Sequence, residues 1–235
     1  MTPTDNKIPV AQAVAQQLQD KIRSGEMEPG EKFPSQRILA EQLKVSRPSL
    51  REALLMLETL GLVTTLPARG TFVVDQNAVD NCSAGKSNWR YDDSFSIRDV
   101  FQSRVLIESE LCRLSAETIS KDALTILESA NSAFEDSWNR QDLMAHVEAD
   151  LLFHRTIAAS CPNEMLQHIY NSVQDLLTES QRQPIPNTEP ARMEQSINEH
   201  RNIIKALRQA DPAQSHRAMR LHIRNTAQCS GVASD

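Results

Sequence analysis

The sequence predicts a mostly α-helical chain in two parts. An N-terminal helix-turn-helix with a small β-hairpin is followed by an all-α antiparallel helical bundle. Three observations predict it. Two short helix signatures joined by a tight turn lie between residues 34 and 60, and a hairpin pattern follows at once. From Ser96 to about Cys229, apolar residues recur at helical spacing, interrupted mainly at prolines. Only 4% of the 235 residues are aromatic and six are glycine, which together with abundant Leu, Ala, Gln and Glu favours helix over sheet.

Residues 1–7 read as a loose tail. Val10 to Ser24 reads as an amphipathic helix with Val14, Leu18 and Ile22 on one stripe and Gly25 as its stop. Glu28 to Pro34 is a turn-rich link. A helix then starts after Pro34, with Ser35 as its N-cap, and carries Ile38, Leu39, Ala40 and Leu43. The chain turns at Leu43-Lys44-Val45. The next helix is capped by Ser46, takes Pro48 in its first turn and buries Leu50, Leu54 and Leu57 before Gly61.

That helix opens Ser46-Arg47-Pro48-Ser49-Leu50-Arg51. Arg47 and Arg51 are four apart and share one face, opposite the leucines. The positive end of the helix dipole lies beside them. An arginine fork matches the O6 and N7 acceptors of guanine, and Ser46 and Ser49 suit phosphates. A merely solvated basic face fits the pattern equally well until the next segment is read. Gly61 to Leu66 and Thr71 to Val74 read as the strands of a hairpin about Pro67-Ala68-Arg69-Gly70. A hairpin directly after such a helix is a wing, and Arg69 at its tip can reach a minor groove.

The stretch PGEKFPSQRILAEQLKVSRPSLREALLMLETLGLVTTLPARGTFV resembles the GntR family of winged-helix regulators. The wing of that family usually has a glycine before its basic residue, where this chain has Ala68. The resemblance implies DNA contacts from Ser35, Arg37, Ser46, Arg47, Ser49, Arg51, Arg69 and Gly70.

The formal net charge is −6, yet residues 1–75 hold nine Lys and Arg against nine Asp and Glu. The excess acid lies in the rest of the chain, so duplex binding rests on the local patch of Arg37, Lys44, Arg47, Arg51 and Arg69. No apolar run approaches the length of a membrane span and no signal peptide precedes the first helix, so a cytoplasmic location without a membrane partner is expected. Cys82, Cys112, Cys161 and Cys229 are scattered and read as free thiols.

The expected domains are residues 1–75, a linker at 76–93 rich in Asn, Ser, Asp and Gly, and residues 94–235. Trp89 is the linker's one large apolar group, expected to dock on a neighbouring surface. Six helices are expected in the second domain, at about 96–119, 122–140, 142–159, 163–181, 190–209 and 212–228. Asp150 and His154 are one turn apart on the third of these. His200 lies on the fifth and His222 on the sixth. Three imidazoles and a carboxylate suit a divalent metal: Zn2+ first, with Ni2+, Mn2+ or Fe2+ also matched by mixed nitrogen and oxygen donors. His168 and His216 read as ordinary surface or core residues. So does His146, although its place one turn before Asp150 also fits a substitute ligand or a partner of one. Glu164 and Glu199 read as bystanders.

The segments DLLFH (150–154), NEHRNIIKALRQADP (198–212) and AMRLHI (218–223) resemble the FCD effector domain of the FadR subfamily of GntR regulators. Six helices, not seven, point to its VanR-like group. The resemblance implies a helical bundle in which Asp150, His154, His200 and His222 hold the metal and a small organic acid completes its sphere. It also implies that Arg104 meets the effector carboxylate, where the alternative is an ion pair with Glu108 on a solvated face. Asn198 is a further candidate for contact with the effector.

The function expected is a homodimeric transcriptional regulator, a repressor, that reads an inverted-repeat operator in double-stranded DNA. A small carboxylate metabolite would change the spacing of its two heads, at a coupling of ~1–3 kcal/mol. The alternatives are a metal-dependent hydrolase with a DNA-binding head, and a regulator that senses the metal itself. Against the hydrolase, no general base or nucleophile signature accompanies the set.

Overall fold

The computed structural model describes residues 10–74, 94–185 and 188–232. The expected tail at 1–7, the linker at 76–93, and the readings of Cys82 and Trp89 lie outside the described residues. The chain divides into two compact units, one reaching Asn88 and the other starting at Trp89.

In the first unit, α1 (Val10–Arg23) buries Val14, Ala15 and Leu18 and packs against α3 (Arg47–Thr59). Helix α2 (Gln36–Leu43) starts where the Ile38 N–H donates to Ser35 Oγ. It ends at Lys44, which adopts a left-handed φ of 55° so that its N–H reaches back to the Ala40 and Glu41 carbonyls. Helix α3 starts at Ser46, whose Oγ accepts from the Ser49 N–H at 3.2 Å. Leu50, Leu54 and Leu57 face inward, as their spacing requires.

Strands β1 (Val63–Leu66) and β2 (Gly70–Val73) pair antiparallel, with Leu66 opposite Gly70. The link at 28–34 does more than turn. Phe33 N–H donates to Thr71 O at 2.9 Å, Val73 N–H donates to Glu31 O at 2.9 Å, and Lys32 bridges to Phe72, so the link lies along the free edge of β2. Covering that edge satisfies donors and acceptors a bare hairpin would leave open.

The wing turn places Ala68 at φ 59° and Gly70 at φ 111°. Alanine at the first is an ordinary side chain in a region that costs roughly 1–2 kcal/mol. A Cβ on Gly70 would sit 2.9 Å from Lys32 Cε.

In the second unit, α4 (Ile97–Ser115) begins at a capping box of Ser96 and Asp99. It is followed by α5 (Lys121–Asn139), α6 (Leu143–Ala159), α7 (Glu164–Ser172), α8 (Gln174–Arg182), α9 (Pro190–Arg208) and α10 (Pro212–Cys229). Helix α4 packs on α10, α5 on α6 and on α9, and α9 on α10. Helix α6 is apolar nearly all round. It buries Met144, Val147, Leu151, Phe153 and Ile157 together with His146 and His154, as a central helix must.

Among the described residues this unit has seven helices where the sequence suggests six. The stretch read as one helix at 163–181 breaks at Val173 (φ −110°, ψ 19°), whose N–H falls back on the Tyr170 carbonyl. No glycine or proline marks the break. Leu166, Tyr170, Val173 and Leu177 share one apolar cluster with Leu111, Ala158 and Cys161, so packing sets it. The six-helix count therefore gives no support to a VanR-like assignment. The described cysteines Cys112, Cys161 and Cys229 are free.

Replacing Gly70 by alanine is expected to lower stability of the first unit by about 1–3 kcal/mol. Ala68→Gly should raise it by up to about 1 kcal/mol. Denaturant unfolding of the three proteins checks both signs.

Candidate functional site

Three helices carry the four residues of the buried polar centre of the second unit. Asp150 and His154 project from one face of α6, His200 comes from α9 and His222 from α10. One donor atom from each lies within 4.8 Å of the other three. His200 Nε2 is 3.2 Å from His222 Nε2 and 3.4 Å from Asp150 Oδ1. His154 Nε2 is 3.7 Å from the same oxygen.

What aims these rings is the far nitrogen of each. His222 Nδ1 lies 2.9 Å from Glu199 Oε2, and His200 Nδ1 lies 3.2 Å from Asn131 Oδ1. His154 Nδ1 lies 2.5 Å from Glu108 Oε2. Each Nδ1 lies against an oxygen, in a hydrogen bond at His200 and His222 and in a close ion-pair contact at His154, which favours the proton on that nitrogen. Each neutral ring then presents a bare Nε2 lone pair to the shared centre. His154 Nε2 has no hydrogen-bond partner, and two lone pairs 3.2 Å apart repel unless a cation stands between them. The donor set therefore fits a divalent metal of the mixed nitrogen and oxygen class. Acceptors behind each imidazole are what metal-binding histidines require.

Electrostatics favour the neutral form of His200 and His222. Burial, reinforced by the neighbouring His222 and His154 rings, holds His200 well below the usual imidazole value. Burial also lowers His222, against the opposing pull of its Glu199 bond. Phe153 stacks on His200 at 4.0 Å and fixes its plane. Burial alone would raise the Glu108 carboxyl. Arg104 and His154 outweigh it and hold Glu108 at about 2.

Arg104 is 1% exposed and pairs with Glu108 at 2.6 Å. Its Nη1 donates to Ser180 Oγ of α8 at 3.3 Å. The ion pair weighed from the sequence is thus formed, but it is buried and not solvated. Arg104 also lines a cavity shared with Asp150, His222, His146 and Arg192. Asn198 does not reach it. Two residues from His200 is more than half a helical turn, so Asn198 is exposed and accepts from Arg201 at 2.8 Å.

His146 is not a ligand in the four-residue group. Its Nδ1 donates to the Phe134 carbonyl at 2.9 Å and its ring stacks on Phe134 at 3.9 Å. His168 is exposed and His216 half-buried, as ordinary residues. Glu199 is no bystander, because it accepts from His222, Asn225 and Arg192 together. Glu164 does remain exposed at the start of α7. A signal for the missed partners was present: Asn131 and Glu108 interrupt the apolar stripes of α5 and α4.

In the first unit, Arg47, Arg51 and Arg69 are exposed, and their side chains make no hydrogen bond or ion pair among the described residues. Arg37 is exposed and pairs with Glu41 at 2.9 Å. Ser46 Oγ and Ser49 Oγ are 2.8 Å apart at the α3 N-terminus, and Ser35 caps α2. The basic face of α3 is therefore open, while its leucines are covered.

A winged helix-turn-helix head with an open basic helix, joined to a helical unit with a buried polar centre, is the plan of a DNA-binding, ligand-responsive transcription regulator. Residues 10–73 match the model described as bacterial regulatory proteins, gntR family, and residues 99–225 match the FCD domain. The chain belongs to the GntR family of bacterial transcriptional regulators, with an FCD effector domain.

The HTH-type transcriptional regulator YcbG of Bacillus subtilis (strain 168) is 30% identical over 222 residues, covering 94% of this chain and 90% of YcbG. LutR, a regulator of the same organism, is 29% identical over 210 residues, covering 87% and 93%. The solved structure of E. coli McbR/YncC matches with a TM-score of 0.54 at 19% identity, over 95% of this chain and 98% of that one, which supports the fold alone. No helix among the described residues is long and apolar enough to cross a membrane.

Glu108→Gln is expected to destabilise the bundle by about 3–5 kcal/mol, because it strips a buried guanidinium of its counter-charge. The carboxyl is held below its ordinary value of 4.5, at about 2. Its contribution is therefore complete above pH 4.5 and disappears as pH falls through about 2, and the variant should lose that pH dependence. Urea unfolding across this range reads both effects.

Proposed function

We propose that the chain is a cytoplasmic homodimeric repressor whose hold on an inverted-repeat operator in double-stranded DNA is set by a small carboxylate at a metal centre. Asp150, His154, His200 and His222 hold the divalent ion, Zn2+ first and Ni2+, Mn2+ or Fe2+ as alternatives. When bound, the ion supplies a Lewis-acidic anchor for a carboxylate. Arg104 grips the same carboxylate from the protein side, since its guanidinium lines the cavity beside Asp150 and His222. The observation that carries this reading is the convergence of three imidazole Nε2 atoms, each ring anchored through its other nitrogen.

At the other end, Arg47 and Arg51 read base edges from the first turns of α3. Ser35, Arg37, Ser46 and Ser49 hold phosphates. For Arg37 this means exchanging an exposed carboxylate partner for a phosphate, a small loss. Arg69 enters the minor groove from the wing, on a turn that Gly70 makes sterically feasible. The open, unpaired state of Arg47, Arg51 and Arg69 supports this assignment.

Removing the ion with a chelator, restoring it, and then adding organic acids while following operator affinity tests the effector half. The proposal expects acids to act only on the metal-loaded protein. A response to metal alone, unchanged by any acid, would make the ion itself the signal. For the DNA half, Arg51→Ala should weaken operator binding by roughly 1–3 kcal/mol and leave metal binding unchanged. Equal operator affinity in the variant would remove α3 from the interface.

A further inference from the structure

The cavity beside the metal donors holds polar atoms that the metal and one carboxylate do not use. His146 is fully buried and lines the cavity. Its Nδ1 gives its proton to the Phe134 carbonyl, so Nε2 is a bare acceptor, and it has no partner. Gln181 also lines the cavity, is 5% exposed, and its Oε1 is a second buried acceptor without a partner. Arg192 lines it from the first turn of α9. Its Nη2 is taken by Glu199, while its buried Nε and Nη1 donors have no partner. Two unpartnered acceptors and two unpartnered donors thus belong to residues that line one cavity. Each would be costly to leave unmade once ligand excludes water.

The chemistry of these vacant positions is selective. A carboxylate can accept from Arg192 but has no proton for His146 or Gln181. An alkyl chain satisfies none of them. A hydroxyl both donates and accepts. Charge points the same way. Arg104 is balanced by Glu108, and Arg192 by Glu199. A divalent ion with Asp150 alone then leaves one positive charge, which a single carboxylate neutralises and a second one exceeds.

We propose that this cavity selects a polyhydroxylated monocarboxylate, with His146, Gln181 and Arg192 contacting hydroxyls beyond the metal-binding end. The inference rests on the metal and carboxylate reading above and adds to it the class of acid and three residues that choose it. Arg192 also joins selection to the metal. It shares Glu199 Oε2 with His222 Nδ1, so a hydroxyl drawn to Arg192 bears on the acceptor that orients a ligand.

The test uses full-length protein loaded with zinc and three four-carbon acids that share an α-hydroxycarboxylate: 2-hydroxybutyrate, threonate and malate. They differ only beyond C2, in having no further polar group, two hydroxyls or a second carboxylate. Calorimetry should find threonate bound at least about tenfold tighter than either of the others. Gln181→Leu and His146→Phe should bring threonate down to the level of 2-hydroxybutyrate, with zinc content and 2-hydroxybutyrate affinity unchanged. Binding of 2-hydroxybutyrate or malate as tight as threonate overturns the proposal, as does a preference that survives both substitutions. If the variants do not fold, the ranking by the unaltered protein decides. Binding of all three acids without preference overturns this inference alone, whereas binding of none overturns the carboxylate reading as well.

Discussion

Three buried imidazoles can point their lone pairs into one small volume only because each has an acceptor behind it. Without Glu108, Asn131 and Glu199, the rings would be free to turn, and the adjacent lone pairs of His200 and His222 would drive them apart. The acceptors themselves need support in a dry interior. Glu108 is held by Arg104, and Glu199 by Arg192 and Asn225. The centre is thus an assembly with the metal donors inside, their acceptors around them, and two guanidiniums outside. Burial that would penalise any one charge is offset because charges enter in pairs.

That layering explains where the apolar core lies. Phe153 serves two purposes, packing with Leu127, Ile157 and Ile203 and stacking on His200. Phe134 likewise packs with Ala149, Met193 and Ile197 while its ring and carbonyl fix His146. Helix α6 lies between these two clusters, which is why its sequence is largely apolar, with Glu148, Asp150 and Arg155 as its charged residues.

The legible parts of the sequence were those governed by local rules. Ser35, Ser46 and the Lys44 turn define α2 and α3 because caps and left-handed residues act within a few positions. Asp150 and His154 advertise a shared face through their spacing, and Pro190 and Pro212 announce α9 and α10. What the sequence hid depends on packing between distant elements. The break at Val173 answers to an apolar cluster drawn from α4, α6, α7 and α8, with no residue of its own to signal it. The edge pairing of residues 31–33 requires knowing where β2 lies. Asn198 was misjudged by counting distance along the chain, where helical angle decides. Glu199, one position further on, is turned inward and meets residues 23 and 26 positions away.

The same contacts suggest how a ligand acts on this unit. Helix α8 buries one leucine, Leu177, and otherwise four polar residues, Glu179 to Arg182. A segment with so little apolar burial depends on its hydrogen bonds for position. One of these is the Arg104 contact to Ser180. A carboxylate bound as proposed at Arg104 would compete with that contact, and a group meeting Gln181 would pull on the adjoining residue of the same helix. The ligand therefore need not deform the well-packed α4, α6 and α10 core to be felt. It has to redistribute a few polar contacts on a helix with little apolar anchoring. A redistribution of that size is comparable to the few kcal/mol by which effectors shift regulator equilibria.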